Sequence, residues 1–109
     1  MYVDDMETEP PRIIRHPEHI LSRYGDEEVN FTVSAVGSKP LTYQWMKDGK
    51  FISDDKEFSG THSPTLHIHF FLPEHEGQYN CVVSNRIGRV ESNVATLTLP
   101  GRSVTEYTA

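Results

Sequence analysis

The chain has 109 residues and a formal net charge of −6, with 36% hydrophobic and 24% charged residues. This length suits one domain and leaves no room for a second core. The composition is too apolar for a disordered chain and too polar for a membrane protein, and no apolar run approaches the roughly 18 residues that a spanning helix needs. The missing apolar run argues against membrane insertion, and the scattered lysine and arginine argue against nucleic acid and acidic membranes as partners.

Both ends of the chain lack the apolar periodicity of a folded element. Residues 1–11 are acidic and end in Pro10-Pro11, which predicts a flexible linker rather than a signal peptide. Residues 101–109 are again irregular and are predicted to be a tail. The folded domain is therefore predicted to span residues 12–100.

Between these ends, hydrophobic residues recur at every second position, which is typical of strands with one buried face. Residues 29–35 alternate in this way, with Val29, Phe31 and Val33 on the inner side. The stretch Gly37–Pro40 then breaks the pattern. The first strongly patterned segment is thus a half-buried strand.

The next predicted strand covers residues 41–47, with Trp45 on its inner side and Gln44 and Met46 on its outer side. It ends in a Lys-Asp-Gly-Lys turn at 47–50, which predicts a tight hairpin because glycine accepts a positive φ. No later segment shows a helical stripe, and many short strands at intervals of about 8–12 residues predict a sandwich or a barrel. The remaining predicted strands cover residues 51–52, a short edge strand around 58, 66–71, 77–84 and a final strand that ends at Leu99.

Four segments follow one another at a characteristic spacing: V-N-F-T-V-S-A at 29–35, Y-Q-W-M-K-D-G at 43–49, L-H-I-H-F-F at 66–71 and E-G-Q-Y-N-C at 76–81. This series resembles the B, C, E and F strands of the immunoglobulin superfamily, specifically its intermediate (I-set) type. The resemblance extends from Pro17 to Leu99. It implies an all-β fold in which two antiparallel sheets pack as a Greek-key sandwich.

The resemblance also implies structural roles. Trp45 would fill the core between the sheets, and the Tyr79 hydroxyl would pin the connection that precedes its strand. Val33 stands where the family has its first cysteine, so Cys81 lacks its disulfide partner and is predicted to be an inert buried thiol. The structural core implied in this way comprises Val33, Trp45, Leu66, Tyr79 and Cys81.

No catalytic, cofactor-binding or metal-binding residues are predicted, because an enzyme needs titratable groups that converge in a concave site. His67 and His69 face solvent by alternation and have no evident third ligand. His75 replaces an acidic residue usual in the family, so the ion pair of that residue is expected to be weakened or lost. The triplet that begins at Asn30, Asn-Phe-Thr, is a glycosylation sequon on an outward-facing position.

The sequence thus predicts a non-catalytic module that binds other proteins and is one domain of a larger multidomain protein, without a cofactor. Gln44, Met46 and Val82 are expected to share an outer sheet face, with Met46 and Val82 as exposed apolar residues. Ile87, in the loop after the 77–84 strand, is a second candidate contact.

The compartment has two interpretations. The missing disulfide favours a reducing environment, as in sarcomeric or cytoskeletal arrays or a signalling scaffold. An extracellular adhesion or receptor domain is the alternative, and the sequon favours it. A metal-binding or glycan-binding sandwich is a third interpretation.

Overall fold

The computed structural model describes residues 8–101, and most of the predicted linker and tail, residues 1–7 and 102–109, lies outside this range. No helix among residues 8–101 is long and apolar enough to cross a bilayer. A 3₁₀ turn spans Pro73–His75. The strands are β1 (Arg12–Arg15), β2 (Ile20–Leu21), β3 (Glu27–Thr32), β4 (Ser34–Val36), β5 (Thr42–Lys47), β6 (Lys50–Phe51), β7 (Phe58–Ser59), β8 (Thr65–Phe70), β9 (Gly77–Ser84), β10 (Arg89–Glu91) and β11 (Ala95–Thr98).

The strands form two layers. One layer has the order β3-β8-β7, and β4, which follows β3 in the chain, pairs with β1. The other layer has the order β2-β11-β9-β5-β6, with β10 paired to β9. All pairs are antiparallel except β2 with β11. The chain crosses between the layers after β1, β2, β4, β6 and β8, and the predicted all-β, two-sheet Greek-key sandwich is confirmed.

Two predicted strands are each divided into two shorter strands at a residue whose hydrogen bonds do not follow the regular β-ladder. Residues 29–35 divide at Val33, whose N–H donates to the carbonyl of Pro64 at 2.9 Å. The last strand divides at Ser92, whose Oγ accepts from the N–H of Cys81 at 2.9 Å while its own N–H donates to the Cys81 carbonyl at 2.8 Å. A side chain therefore replaces a backbone partner at this point.

The predicted hairpin between β5 and β6 is present and docks on the neighbouring strand. Asp48 and Gly49 adopt φ angles of 51° and 82°, as a two-residue primed turn requires. The Asp48 carboxylate accepts from the Gln78 N–H at 2.9 Å. A Cβ on Gly77 would lie 2.8 Å from the same carboxylate, so glycine at this position permits the close approach.

The centre of the sandwich is built around Trp45, which is completely buried. Its indole N–H donates to the carbonyl of Ser63 at 2.8 Å, and its backbone N–H donates to the carbonyl of Thr61 at 2.9 Å. The ring of Phe31 packs against it with centroids 6.3 Å apart. The five residues assigned to the core by resemblance are each at most 1% exposed: Val33, Trp45, Leu66, Tyr79 and Cys81.

The start of the described chain packs on the domain, although the sequence assigned it to the linker. The carbonyl of Glu9 accepts from the N–H of Ser38 at 3.0 Å, and the Glu9 N–H donates to Ser38 Oγ at 2.9 Å. Pro11 is buried. A Cβ on Gly37 would lie 2.8 Å from the carbonyl oxygen of Pro10, so this glycine admits the segment. The prediction of a flexible linker that extends through residue 11 is therefore wrong. The composition of residues 9–11 indicates no structure, but hydrogen bonds to Ser38 hold this stretch on the domain.

Candidate protein-interaction surface

Register determines which residues share the outer face of the β2-β11-β9-β5-β6 layer. Residues directly opposite each other on antiparallel strands point to the same side. Phe51 lies opposite Met46, and Met46 lies opposite Asn80. Because Trp45 and Cys81, the chain neighbours of Met46 and Asn80, point into the core, these three residues point outward.

The most exposed apolar group on this face is Phe51, which is 65% exposed, beside the half-buried Met46. We call this pair the Phe51–Met46 edge. Met46 is among the contact residues predicted from the sequence, whereas Phe51 is not. The signal was present, because a two-residue turn between Lys47 and Lys50 necessarily places residue 51 opposite residue 46.

Gln44 and Val82 lie directly opposite each other in the middle of the layer, but neither is a free apolar contact. Gln44 is half-buried, and its Nε2 donates to the carbonyls of Trp45 and Ile52, each at 2.9 Å. Val82 is only 5% exposed, so the expectation of an exposed Val82 is wrong. It stands between Gln44 of β5 and Glu91 of β10, and flanking side chains on both sides limit its access to solvent.

Ile87 is 43% exposed in the loop between β9 and β10. The loop is held by Asn85, whose Oδ1 accepts from the N–H groups of Ile87 and Gly88 at 2.8 and 3.0 Å. The Asn85 Nδ2 donates to the carbonyls of Glu9 and Ser38 at 2.8 and 3.0 Å. This residue therefore ties together three separate segments at one end of the domain.

The four predicted contact residues do not form one patch. Ser84, at the Ile87 end of β9, pairs with Thr42 at the start of β5. Phe51 pairs with Met46 near the end of β5. Ile87 and the Phe51–Met46 edge therefore lie at opposite ends of the strand.

The outer face of the β3-β8 layer has a different, polar character. Asn30 pairs with His67, and Thr32 pairs with Thr65. The His67 Nδ1–H donates to Asn30 Oδ1 at 2.7 Å, and the two threonine hydroxyls lie 3.1 Å apart. His69 is exposed further along β8. This face carries hydrogen-bonding groups and no charged residue at these paired positions.

One cluster in the described chain brings three potential metal ligands together, namely Glu57, Glu74 and His75, whose ligand atoms lie within 4.8 Å of one another. His75 is 2% exposed. Its Nδ1 accepts from the N–H of Leu72 at 3.0 Å, so the ring proton is on Nε2, which lies 3.1 Å from the Glu57 carboxylate. In this tautomer Nε2 is a donor and offers no lone pair to a metal.

The arrangement is therefore a hydrogen-bonded corner, in which a hydrogen bond between the neutral His75 ring and Glu57 stands where an ion pair was expected to be weakened or lost. Glu57, on the segment before β7, supplies the carboxylate of this corner. The hydroxyl of Tyr79 donates to the carbonyl of His75 at 2.6 Å, which pins the connection to β9. Burial, with smaller contributions from the negative charges of Asp48 and Glu57, raises the pKa of Tyr79.

The single cysteine offers no reactive thiolate. Cys81 is buried, and burial raises the pKa of its thiol to about 12. A nucleophilic or metal-binding cysteine needs the opposite shift of its pKa.

Comparisons with known proteins give one consistent result. The model of a family described as "Immunoglobulin domain" matches residues 10–85. The chain is 32% identical over 102 residues to human "Leucine-rich repeats and immunoglobulin-like domains protein 1", a match that covers 82% of this chain and 9% of that protein. It is 32% identical over 105 residues to the mouse "Basement membrane-specific heparan sulfate proteoglycan core protein", which covers 86% of this chain and 3% of that protein.

Among solved structures, the titin M3 domain is similar, with a TM-score of 0.72 and 28% identity. That match covers 84% of this chain and 99% of the other. The chain thus spans less than a tenth of the two curated relatives but nearly the whole of a single titin domain.

Proposed function

Because the chain belongs to the immunoglobulin domain family, we propose that it is a non-catalytic protein-interaction module and one domain of a larger multidomain protein. The curated relatives support this proposal, because each is many times longer than the matched segment. The fold is compatible with the I-set type suggested by the sequence.

We propose that the Phe51–Met46 edge is the surface that contacts the partner protein. The main support is that the Phe51 side chain is 65% exposed and lies beside Met46. Aromatic residues and methionine are enriched in the cores of interfaces, where they supply large apolar area. The matching partner surface is an apolar pocket on a folded protein. Strand addition is less suited to this edge, because β6 has only two residues.

The test is quantitative recovery of partners from cells or matrix that contain the parent protein. The wild-type chain is compared with Phe51→Asp and with a matched control, Phe70→Asp. Phe70 is 47% exposed and lies on β8 in the other layer. Proteins recovered by the wild type and the control but lost with Phe51→Asp support the proposal. Equal recovery by all three chains would exclude the Phe51–Met46 edge.

We further propose an extracellular or cell-surface context. The name of the basement-membrane relative and the Asn30 sequon support it. Labelling of intact cells with a membrane-impermeable reagent tests this point on the full parent protein. Labelling of this domain only after the cells are permeabilised would contradict it.

The second candidate context is an intracellular array. It is favoured by the solitary Cys81 and by the 28% identity to the titin M3 domain across nearly all of that structure. The same labelling experiment separates the two contexts.

A further inference from the structure

The outer face of the β3-β8 layer contains a feature that the proposed binding role does not use. The 109-residue sequence has one Asn-x-Ser/Thr triplet, Asn30-Phe31-Thr32. Phe31 is 1% exposed, so alternation along β3 turns Asn30 and Thr32 outward, and Asn30 is exposed. The acceptor sequence and the accessible side chain therefore coincide.

The hydrogen bonding of Asn30 leaves free its side-chain nitrogen, Nδ2, the atom to which a glycan would be attached. Its Oδ1 accepts from His67 Nδ1–H at 2.7 Å. Among residues 8–101, no hydrogen bond engages its Nδ2. The bond to His67 fixes the amide plane, and the nitrogen that would carry a sugar is left without a competing partner.

The space beside Asn30 results from the path of the chain. The segment between β1 and β2 leaves the first layer and crosses to the second, so on the side away from β8 the strand β3 has no partner in the described chain. A cleft of about 380 Å³ opens there, and Asn30 and Thr32 form part of its wall. His16 and His19 also line it.

One ring nitrogen of each of these histidines is already engaged by the backbone. The Nδ1 of His16 accepts from the N–H of Asn93, and the Nδ1 of His19 accepts from the N–H of Thr96, both at 2.9 Å. In the neutral rings the proton is therefore on Nε2. An Nε2–H group of this kind can donate to the hydroxyl and acetamido oxygens of an amino sugar.

We propose that Asn30 is an N-glycosylation site whose glycan covers the polar outer face of the β3-β8 layer and leaves the Phe51–Met46 edge, on the other layer, for the partner. This inference rests on the extracellular context proposed above. The donor is a lipid-pyrophosphate-linked oligosaccharide. Asn30 Nδ2 forms a bond to the anomeric carbon of the first sugar, the bond from that carbon to the pyrophosphate oxygen breaks, Nδ2 loses one proton to a base, and the lipid pyrophosphate departs.

The first experiment is cell-free translation of the chain, preceded by a secretion signal, with endoplasmic-reticulum microsomes. This readout does not require the variant to fold. The wild type and Thr32→Ser should each show a one-glycan mobility shift that peptide-N-glycosidase removes. Asn30→Gln and Thr32→Ala should show none. A wild-type chain that enters the microsomes without a shift would overturn the proposal.

The second experiment maps peptides from the full parent protein purified from its own cells. Enzymatic deglycosylation should convert Asn30 to aspartate, and an unmodified Asn30 in surface-labelled protein would overturn the site. Surface labelling and loss of binding with Phe51→Asp are scored separately. A failure of the glycan is thereby distinguished from a failure of the proposed function. Asn30→Gln should leave partner recovery through the Phe51–Met46 edge unchanged.

Discussion

The middle of the sandwich and the corner at the start of β9 hold the two layers together by different physical means. In the middle, Val33, Trp45 and Cys81 belong to one buried apolar cluster. At the corner, the Tyr79 hydroxyl donates to the carbonyl of His75, and the His75 ring bonds Leu72 in its own turn and Glu57 on the segment before β7. Among the described residues, no disulfide joins the layers in either region.

The difference explains how the domain does without a disulfide. Apolar burial is non-directional, so a valine and a protonated thiol can replace a covalent link if the space between the layers is filled. The corner is directional, because each buried donor and acceptor must find a partner or lose free energy. Substitutions in the middle should therefore have large effects that scale with volume, and substitutions at the corner should have smaller effects that scale with lost hydrogen bonds.

Trp45→Ala should have the largest effect. It leaves a large cavity and removes the bond to the Ser63 carbonyl, so the free energy of unfolding should fall by about 3–5 kcal/mol. Urea unfolding measures the change, with Phe70→Ala as the control because Phe70 is 47% exposed. A loss below about 1 kcal/mol would show that the indole is not the centre of the core.

Val33→Cys should act in the opposite direction. A disulfide to Cys81 would close a long loop and stabilise the domain by up to about 4 kcal/mol in the chain-entropy model. Because burial raises the pKa of Cys81, oxidation should be carried out during refolding. Thermal unfolding of the oxidised and reduced forms measures the gain. Two free thiols after oxidative refolding would show that the two positions do not face each other.

His75→Ala should have an intermediate effect. It leaves the Leu72 N–H and the Glu57 carboxylate without their partner, at a cost of about 1–3 kcal/mol. The matched control is Glu74→Ala, because Glu74 is adjacent and exposed. Equal unfolding free energies for the two variants would refute the hydrogen-bonded corner.

Tyr79→Phe isolates one hydrogen bond of the same corner. The ring remains stacked on Phe31, with centroids 4.8 Å apart, while the His75 carbonyl loses its 2.6 Å donor. We expect a loss of about 1 kcal/mol in chemical denaturation. Tyr43→Phe, on the half-buried Tyr43, is the comparison and should change little. An unchanged Tyr79→Phe variant would remove the role assigned to the hydroxyl.

Lowering the pH should have the smallest effect on the free energy of unfolding. It should act through carboxylates in exposed turns rather than through the middle of the sandwich or the corner at the start of β9. The hydroxyl and the N–H of Thr61 lower the pKa of Asp54, and the Lys47 ammonium, with the Gln78 N–H, lowers that of Asp48. A carboxyl whose pKa is lower when folded adds stability above its unfolded pKa of about 3.9 and loses it as the pH falls through the folded value.

The free energy of unfolding should therefore decline below about pH 5. Asp54→Asn should flatten this acid limb, because the amide cannot titrate. The measurement is denaturant unfolding across the pH range, and identical acid limbs for the two chains would contradict the assignment.

Much of the fold could be predicted from local pattern. The β9 strand has the predicted bounds, Gly77–Ser84, and the turn at Asp48 and Gly49 has the backbone that its residues favour. Such features depend on neighbouring residues alone. The division of the last strand at Ser92 could not be predicted, because it depends on a hydrogen bond to Cys81, a strand away.

The candidate surface was only partly predicted. Alternation correctly turned Met46 outward, but it could not reveal that Val82, on a central strand between two others, is 5% exposed. Phe51 was missed because register, rather than hydropathy, places it beside Met46. The hydrogen bond between His75 and Glu57 could not be predicted either, because it joins residues that are 18 positions apart in the chain.

The sequence by itself determined the alternating strands, the tight turns and the apolar residues that must leave water, because these follow from backbone geometry and the hydrophobic effect acting locally. Only the tertiary structure decided which outward-facing residues remain exposed and which partner satisfies each buried polar group. Those properties depend on strands that meet across the sheets from distant parts of the chain.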